Sequence, residues 1–280
     1  MKKIITDYGK EEFYNFIVSN YPWDYGNYDY FKWKHISDPY CNEPDFYVMK
    51  DNNDIMAICV GRRYVYDFNR KHLQTLCMMD FATEKKYRLK GFITELSEHI
   101  KSVCDFDMTL GFSSEELYNN VYKKFNCFQR YYTYQFCSDN ISCVEAVEVT
   151  DIDYICKKLN STRNSLHLNK TPEYMDYLCA SSKHPKVHAA EYDGLLVLVC
   201  TKNDEASILD MSEYSLNSCR TAAQIALNFS DKVFVDFPQK IENNDGILRK
   251  TICCISDNFA LNYTLQKGDD FIWIPVTDRK

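Results

Sequence analysis

The sequence predicts an α+β protein in which helices flank a mixed, mostly antiparallel central sheet, built in two tandem copies. Three observations support this fold class. Alternating and continuous apolar runs indicate strands, several of them in hairpins, and apolar residues at three-to-four spacing indicate helices between them. The second half of the chain loosely repeats the plan of the first. At 280 residues, the chain is long enough for two ordinary domains.

The first half is predicted to begin with two helices and to continue with strands. The helix after the third strand carries Ile93, Leu96, Ile100 and Val103 on one face. Ser113 and Glu116 have capping-box spacing and predict the start of a further helix. The predicted elements are helices at 10–19 and 28–36, strands at 46–50, 55–66, 73–81 and 106–112, a helix at 113–125 and a strand at 128–136.

The second half follows a similar order from about residue 145. It has a helix in TPEYMDYLCAS, a hairpin in VHAAEYDGLLVLVC, a strand in ASILDMS, a helical face, a strand in KVFVDF and a last strand in FIWIP. The helical face contains Leu216, Cys219, Ala223 and Ala226. No linker rich in Pro, Gly or Ser separates the halves. We therefore place the domains at 1–140 and 145–280 and expect them to pack together.

The two halves can be aligned on their letters. In each, an apolar strand ends in an aspartate, and a polar loop, an arginine and a helix follow. The alignment pairs Asp80 with Asp210, Arg88 with Arg220, Gly91 with Ala223, and Ile93 with Ile225. A chance match of strand–loop–helix patterns is the alternative to an internal repeat.

Composition excludes several classes of protein. The net charge of −7 argues against a broad surface for nucleic acid. The 13 cysteines lack C-x-x-C spacing, which favours reduced core thiols in a reducing compartment. The start of the chain lacks the apolar core of a secretory signal, and no apolar run approaches the roughly 20 residues that cross a bilayer. The six histidines form no H-E-x-x-H motif. We expect a cytoplasmic protein without a metal.

Gly91 is one of only 8 glycines and stands where a helix begins. A glycine at such a junction serves a tight turn or close packing of the helix on the sheet. Alternatively, it lets a phosphate approach the unpaired amides and positive dipole end of the helix. Arg88 and Lys90 would add positive charge. The segment is neither a P-loop nor a dinucleotide fingerprint, because it lacks the glycines and the Lys-Ser/Thr ending that those motifs need.

The pattern ATxxxYRxKGxxxxL, followed by a strand ending in LGF and a helix carrying VYKKF, resembles the GCN5-related N-acetyltransferases. The diagnostic Arg/Gln-x-x-Gly-x-Gly/Ala motif is matched over residues 88–91 and departs at Ile93. Asn126 and Cys127 depart from the family's Gly-Phe. FKWKHISDPY resembles the Trp-Lys…Pro segment of bacterial members that have a second acyltransferase-like half. The resemblance covers about residues 1–137.

The resemblance implies acetyl-CoA, or another acyl-CoA, as co-substrate. In this family the strand before the loop contacts the pantetheine arm, and the loop and helix start bind the pyrophosphate through backbone amides. The residues at the matching positions are Phe81, Ala82, Thr83, Arg88, Leu89, Lys90, Gly91, Phe92, Ile93 and Thr94, with Asn119 on the following helix.

The resemblance also implies direct attack of an amine on the thioester. Tyr122 matches the family's general acid, and Asp80 is the candidate for the general base, with a loop-capping role as the alternative. Trp23, Tyr28 and Trp33 would line the acceptor cleft, or simply pack an amphipathic helix. The acceptor is expected to be a small-molecule amine; the oligomeric state stays open. A non-catalytic acyltransferase-like binding module and an aminoacyl-tRNA-dependent transferase are the competing functions, and the negative charge counts against the second.

Overall fold

The computed structural model describes residues 2–6, 8–21, 25–40, 45–68, 71–122, 127–162, 165–180, 186–237, 240–241 and 246–255. The predicted strand in FIWIP lies outside these ranges. The chain divides into two compact units. The first unit comprises 1–65 and 73–111, and the second comprises 66–72 and 112–280.

The first unit has five strands in the order β1-β2-β3-β4-β5. The pairs β1–β2 and β2–β3 are antiparallel, and β4–β5 is parallel. The tip of the β3–β4 hairpin and the last residues of β5 are assigned to the second unit. The elements are β1 (Lys2–Ile5), α1 (Lys10–Asn20), α2 (Tyr28–His35), β2 (Asp45–Asp51), β3 (Asp54–Phe68), β4 (Lys71–Thr83), α3 (Phe92–Val103) and β5 (Met108–Ser114).

In the second unit, a longer sheet has the order β12-β6-β11-β10-β9-β8-β7. All of its neighbouring strands are antiparallel except β10 and β11. The elements are α4 (Glu115–Leu117), β6 (Cys127–Cys137), β7 (Val147–Glu148), α5 (Ile152–Asn160), α6 (Pro172–Cys179), β8 (Lys186–Tyr192), β9 (Leu195–Lys202), β10 (Glu205–Met211), α7 (Leu216–Ala226), β11 (Lys232–Phe237) and β12 (Ile247–Ile255).

Both units place their elements in the same order. A strand is followed by two helices, three antiparallel strands, a helix, and a strand that is parallel to its neighbour. These two mixed, mostly antiparallel sheets with flanking helices confirm the predicted fold class. The domain limits 1–140 and 145–280 stay a prediction. β6 precedes residue 140 in the sequence, and it pairs with β11 and β12 in the second unit.

Turns and caps explain where the elements of the second unit begin and end. Asp193 and Gly194 both have positive φ in the β8–β9 turn, as a two-residue type I′ hairpin requires. Asn203 and Asp204 do the same between β9 and β10. α6 begins with Thr171 as its capping residue and a proline at its first position, which fits the fixed φ of proline.

Apolar faces of the helices close the core of each unit. In the first unit, Leu96 and Ile100 of α3 are fully buried against β2, β3 and β4, among them Tyr47 and Leu76. Val103 is 58% exposed, so the helical face predicted from it ends one turn earlier. In the second unit, α5 and α6 cover the sheet, with Leu159 and Leu178 buried.

One predicted helix start is wrong. β5 continues to Ser114, and the Ser113 hydroxyl donates to the Ser114 carbonyl instead of capping a helix. The α-helix that follows has three residues, Glu115–Leu117, and then widens into a π-helical turn at Tyr118–Tyr122. The strand therefore continues through Ser113, although the spacing of Ser113 and Glu116 favours a helix start there.

Candidate functional site

The candidate site begins where β4 ends and α3 starts. A short 3₁₀ turn at Lys85–Tyr87 follows β4, and Leu89 (φ +62) and Gly91 (φ +80) are both left-handed. A Cβ built on Gly91 would meet no protein atom within 4 Å. The glycine therefore serves the backbone conformation of the turn, and not close packing of the helix on the sheet.

The N-terminus of α3 differs from those of α2, α5, α6 and α7. Each of those four helices has a side chain that accepts from a backbone amide of its first turn. Gly91, at the same position of α3, provides no side-chain cap. The first-turn amides and the positive dipole end of α3 therefore form a site suited to an anion.

The loop before α3 carries Lys85, Lys86, Arg88 and Lys90, all exposed. The Lys86 ammonium lies 2.6 Å from a carboxylate oxygen of Asp54, and that of Lys90 lies 5.1 Å from the centre of the Tyr87 ring. Leu89 is completely exposed. The six residues before Gly91 thus contain four basic residues, in a chain that is acidic overall.

The Arg88 guanidinium has a structural task. Its Nη2 donates to the carbonyl of Asn20 at the end of α1 (2.8 Å), and its Nε reaches the carbonyl of Thr83 at the end of β4 (3.4 Å). Both acceptors are backbone atoms. Arg88 thus ties the loop to α1 and to β4, and its positive charge also suits the carboxyl end of α1.

Asp80 lies at the centre of a buried polar cluster near the end of β4. Lys34 Nζ donates to its Oδ1 (2.7 Å), and His35 Nε2 and the Tyr25 hydroxyl each lie 2.5 Å from its Oδ2. The Tyr21 hydroxyl is 3.4 Å from Oδ1. Asp80 itself has φ +53, an unusual conformation for a strand residue.

The charges of this cluster follow from its burial and its neighbours. Burial alone would raise the pKa of Asp80, but the Lys34 ammonium and His35 outweigh it and hold that pKa well below its ordinary value. Burial, partly opposed by Asp80, lowers the pKa of His35 to about 4. At neutral pH Asp80 is therefore ionised and His35 is neutral. His35 Nδ1 is buried without a hydrogen-bond partner among the described residues.

The structure places the other predicted site residues as follows. On the strand before the loop, Ala82 is buried, and Phe81 and Thr83 are half-buried. Phe92, Ile93 and Thr94, in the first turn of α3, are half-buried. Asn119 is exposed in the π-helical turn of the second unit, and only the backbone of Tyr122 is described.

The predicted acceptor-site aromatics lie in and around α2. Trp23 lies outside the described residues. The Tyr28 ring stacks on Phe31 (5.7 Å between centroids), and the Trp33 ring stacks on Tyr30 (5.7 Å). The first pair belongs to a larger aromatic core around Phe31, which is fully buried. The second pair is half-buried.

The second unit contradicts the predicted alignment of the repeat. Ala223 and Arg220 lie inside α7, whereas Gly91 and Arg88 precede α3. The residue at the helix start is Ser215, which lies five positions after Asp210, while Gly91 lies eleven positions after Asp80. The pairing of Gly91 with Ala223 is wrong because the alignment makes the second loop the longer one, with ten positions from Asp210 to Arg220 against eight from Asp80 to Arg88, whereas in the structure it is the shorter one.

The α7 start is closed by its own side chains. Ser215 Oγ accepts from the Ser218 amide (3.0 Å), and the Ser218 hydroxyl donates to the Glu213 carboxylate (2.8 Å). Ser215 Oγ is also 3.4 Å from the same carboxylate oxygen. A carboxylate of the protein therefore lies near the positive end of this helix, where it would repel a bound anion.

Sequence reasoning missed Lys34 and His35 as part of the site. They are adjacent in α2 but lie 45 or more positions from Asp80. No local spacing connects them to it. The one signal in the sequence was their position in FKWKHISDPY, the segment that resembles the family's Trp-Lys…Pro segment.

Two features are absent from the described residues. No group of three or more His, Cys, Asp or Glu side chains within them is arranged to hold a metal ion. None of their helices combines the length and hydrophobicity that crossing a bilayer requires.

Several solved structures with a similar fold are named as GCN5-related N-acetyltransferases. A GCN5-related N-acetyltransferase from Anabaena variabilis matches with a TM-score of 0.64 and 11% identity, over 92% of this chain and 73% of that one. A GCN5-related N-acetyltransferase from Kribbella flavida matches with 0.60 and 8%, over 90% and 71%. Eis1 from Mycobacterium abscessus matches with 0.59 and 8%, over 91% and 73%.

These matches confirm the predicted resemblance to the GCN5-related N-acetyltransferases at the level of the fold. At such low identity, residue roles do not follow from the likeness. No family model matches the chain, and no curated protein does.

Proposed function

We propose that this chain is an acyl-CoA-dependent N-acyltransferase that moves an acyl group, acetyl first of all, to a small-molecule primary amine. The observation that carries the proposal is the start of α3. It opens on a left-handed glycine, lacks a side-chain cap and follows a loop with four basic residues. In the acyltransferases that this chain resembles, the helix start at the matching position binds the pyrophosphate, as the free amides of a helix N-terminus allow.

The residues present fit such a co-substrate. The amides at 91–94 point along a helix start that no side chain caps, and Lys85, Lys86 and Lys90 provide counter-charge for phosphates. The backbone of Phe81, Ala82 and Thr83, at the end of β4, would lie along the pantetheine arm. The bound acyl-CoA supplies an activated thioester.

The reaction requires three events. The acceptor ammonium loses a proton; its nitrogen forms a bond to the carbonyl carbon as the bond to sulfur breaks; and the nitrogen loses a second proton while the leaving thiolate gains one. Tyr122 is our candidate for the group that protonates the thiolate. Asp80 is a weak proton acceptor, because Lys34 and His35 stabilise its ionised form. We therefore assign Asp80 an electrostatic role and not that of the general base.

One site per chain is expected. The second unit has Ser215 where the first has Gly91, and the Glu213 carboxylate lies at its helix start. A bound pyrophosphate there would face that carboxylate.

Isothermal titration with acetyl-CoA tests the proposal. We expect one site per chain, and turnover with at least one member of a panel of primary amines. No heat of binding up to millimolar ligand would refute the acyl-CoA site. Two sites per chain would refute the single-site claim.

A second candidate function is a non-catalytic module that binds acyl-CoA. The observation that favours it is the engagement of Asp80, whose two carboxylate oxygens already accept from Lys34, His35 and Tyr25. Binding of acetyl-CoA without turnover across the amine panel would support this candidate over the enzyme.

A further inference from the structure

In each unit, a lysine pairs with an aspartate near the end of the strand that precedes the last helix, although Lys34 lies in the last turn of α2 and Lys170 precedes α6. In the first unit, Lys34 pairs with Asp80 near the end of β4, and in the second, Lys170 Nζ lies 3.4 Å from Asp210 Oδ2 near the end of β10. The Asp80 and Asp210 side chains are 6% and 3% exposed. The repeat thus provides an internal control for the role of the pair.

Tyrosines complete both clusters. The Lys34 ammonium lies 5.7 Å from the centre of the Tyr25 ring, and that of Lys170 lies 5.2 Å from the centre of the Tyr174 ring. In both units a tyrosine hydroxyl donates to the carboxylate: Tyr25 to Asp80, and Tyr214 to Asp210. The second unit has this cluster too, but its helix α7 begins with a side-chain cap. The shared cluster by itself therefore does not define a ligand site.

Two features are particular to the first unit. The backbone of Asp80 is left-handed, while Asp210 is not among the residues with positive φ. A left-handed residue other than glycine or asparagine persists where its surroundings hold it in place. Lys34 and His35 hold one carboxylate oxygen of Asp80 each.

The cluster is also connected to the loop before α3. Tyr21, at the end of α1, places its hydroxyl 3.4 Å from Asp80 Oδ1. Its neighbour Asn20 accepts from Arg88 through its backbone carbonyl. Arg88 reaches Thr83 as well, three residues after Asp80. The end of α1 therefore contacts both the buried cluster and the arginine of the loop.

We propose that Lys34 and His35 are positioning residues for the acyl-CoA site, an inference that rests on the function proposed above. By holding Asp80, they fix the left-handed backbone near the end of β4. Through Tyr21, Asn20 and Arg88 they also fix the loop that presents the start of α3. Neither residue is assigned a proton transfer or a contact with the ligand.

The experiment compares matched variants in the full chain, with acetyl-CoA as the titrated probe. Lys34→Met and His35→Leu remove a donor to Asp80, whereas Lys34→Arg and His35→Gln keep one. Lys170→Met removes the corresponding ammonium in the second unit. Thermal unfolding of each variant establishes that it is folded, and deuterium exchange over residues 80–91 reports on the strand end and loop.

Lys34→Met and His35→Leu are expected to weaken acetyl-CoA binding on the order of tenfold to a hundredfold, the effect of losing one hydrogen bond to a charged phosphate when the loop is displaced. They should also speed exchange over residues 80–91. The donor-keeping variants should restore both properties. Lys170→Met should lower the unfolding temperature and leave the affinity unchanged.

Two results would overturn the inference. If Lys34→Met binds as tightly as Lys170→Met, both ion pairs are merely structural. If His35→Gln does not restore the affinity for acetyl-CoA that His35→Leu loses, the hydrogen bond to Asp80 is not the reason for that loss. A parent chain that binds no acetyl-CoA would refute the proposed function as well, whereas parent binding with unaffected variants refutes this inference alone.

Discussion

Replacing Gly91 separates two explanations of why a glycine stands at the start of α3. Its φ is +80, and an added Cβ would meet no protein atom within 4 Å. A substitution therefore acts on the backbone or on a bound ligand. An L residue loses about 1–2 kcal/mol in the left-handed conformation. Asparagine tolerates this region, and β-branched valine does not.

The expected loss of binding follows from the amides at the helix start. If valine turns this backbone out of the left-handed region, the amides of the first turn no longer converge. Losing one hydrogen bond to a charged phosphate weakens binding by about 1.5–3 kcal/mol, which is roughly tenfold to a hundredfold in affinity. We expect that loss for Gly91→Val in a titration with acetyl-CoA, and near-parent affinity for Gly91→Asn.

Gly194 provides the matched control. It has φ +79 in the β8–β9 turn, and a Cβ there would also meet nothing within 4 Å. Gly194→Val should lower the unfolding temperature as much as Gly91→Val does, by about 2–8 °C, and leave binding unchanged. Equal affinities of the two valine variants would refute the reasoning. If Gly91→Asn also binds weakly, the ligand requires a residue without a Cβ at this position, and the left-handed backbone conformation alone is not sufficient.

Three further predictions concern other residues. Burial lowers the pKa of His35 from 6.5 to about 4, so the unfolded chain takes up this proton at a higher pH than the folded chain does. The free energy of unfolding should therefore fall by on the order of 3 kcal/mol as the pH falls from above 6.5 to below 4. Urea unfolding of His35→Gln should show a smaller loss, and an equal loss would contradict the assignment. Ser215→Ala should destabilise the chain by about 1 kcal/mol without changing acetyl-CoA affinity; weaker binding would argue for a site in the second unit. Arg88→Lys should weaken acetyl-CoA binding about tenfold, because lysine cannot donate to the Asn20 and Thr83 carbonyls as a fork. If Arg88→Lys binds acetyl-CoA as tightly as the parent chain, the hydrogen bonds of Arg88 to these carbonyls are not needed to position the loop.

Local patterns predicted most elements of the first unit. The hairpin predicted from 46–50 and 55–66 became β2 and β3, the apolar run in 73–81 became β4, and the periodic face of Leu96 and Ile100 became α3. These patterns reflect burial of one face or two faces of a single element, so the sequence contains them directly. The position of Gly91 at the start of α3 was predictable for the same reason.

Features that depend on distant residues or on loop length were not predictable. His35 and Asp80 are 45 positions apart, and only the fold brings them together. The alignment of Gly91 with Ala223 failed because it matched Arg88 to Arg220 by residue type, and the letters alone do not show that α7 begins before Arg220. β12 (Ile247–Ile255) has no sharp alternation at its start, and its position beside β6 is set by pairing.

The pairing of β6 affects how the chain could be divided or assembled. β6 lies between β11 and β12 and forms antiparallel ladders with both. A fragment beginning at residue 145 would lack this central strand and would present two unpaired edges in its place, a state prone to aggregation. The sheet of the second unit therefore includes β6, a strand that comes before the repeated elements of that unit in the sequence. Synthesis from the N-terminus makes β6 available before either of its partners. Residues 138–231 must follow before β11 can pair with it, and residues 138–246 before β12 can.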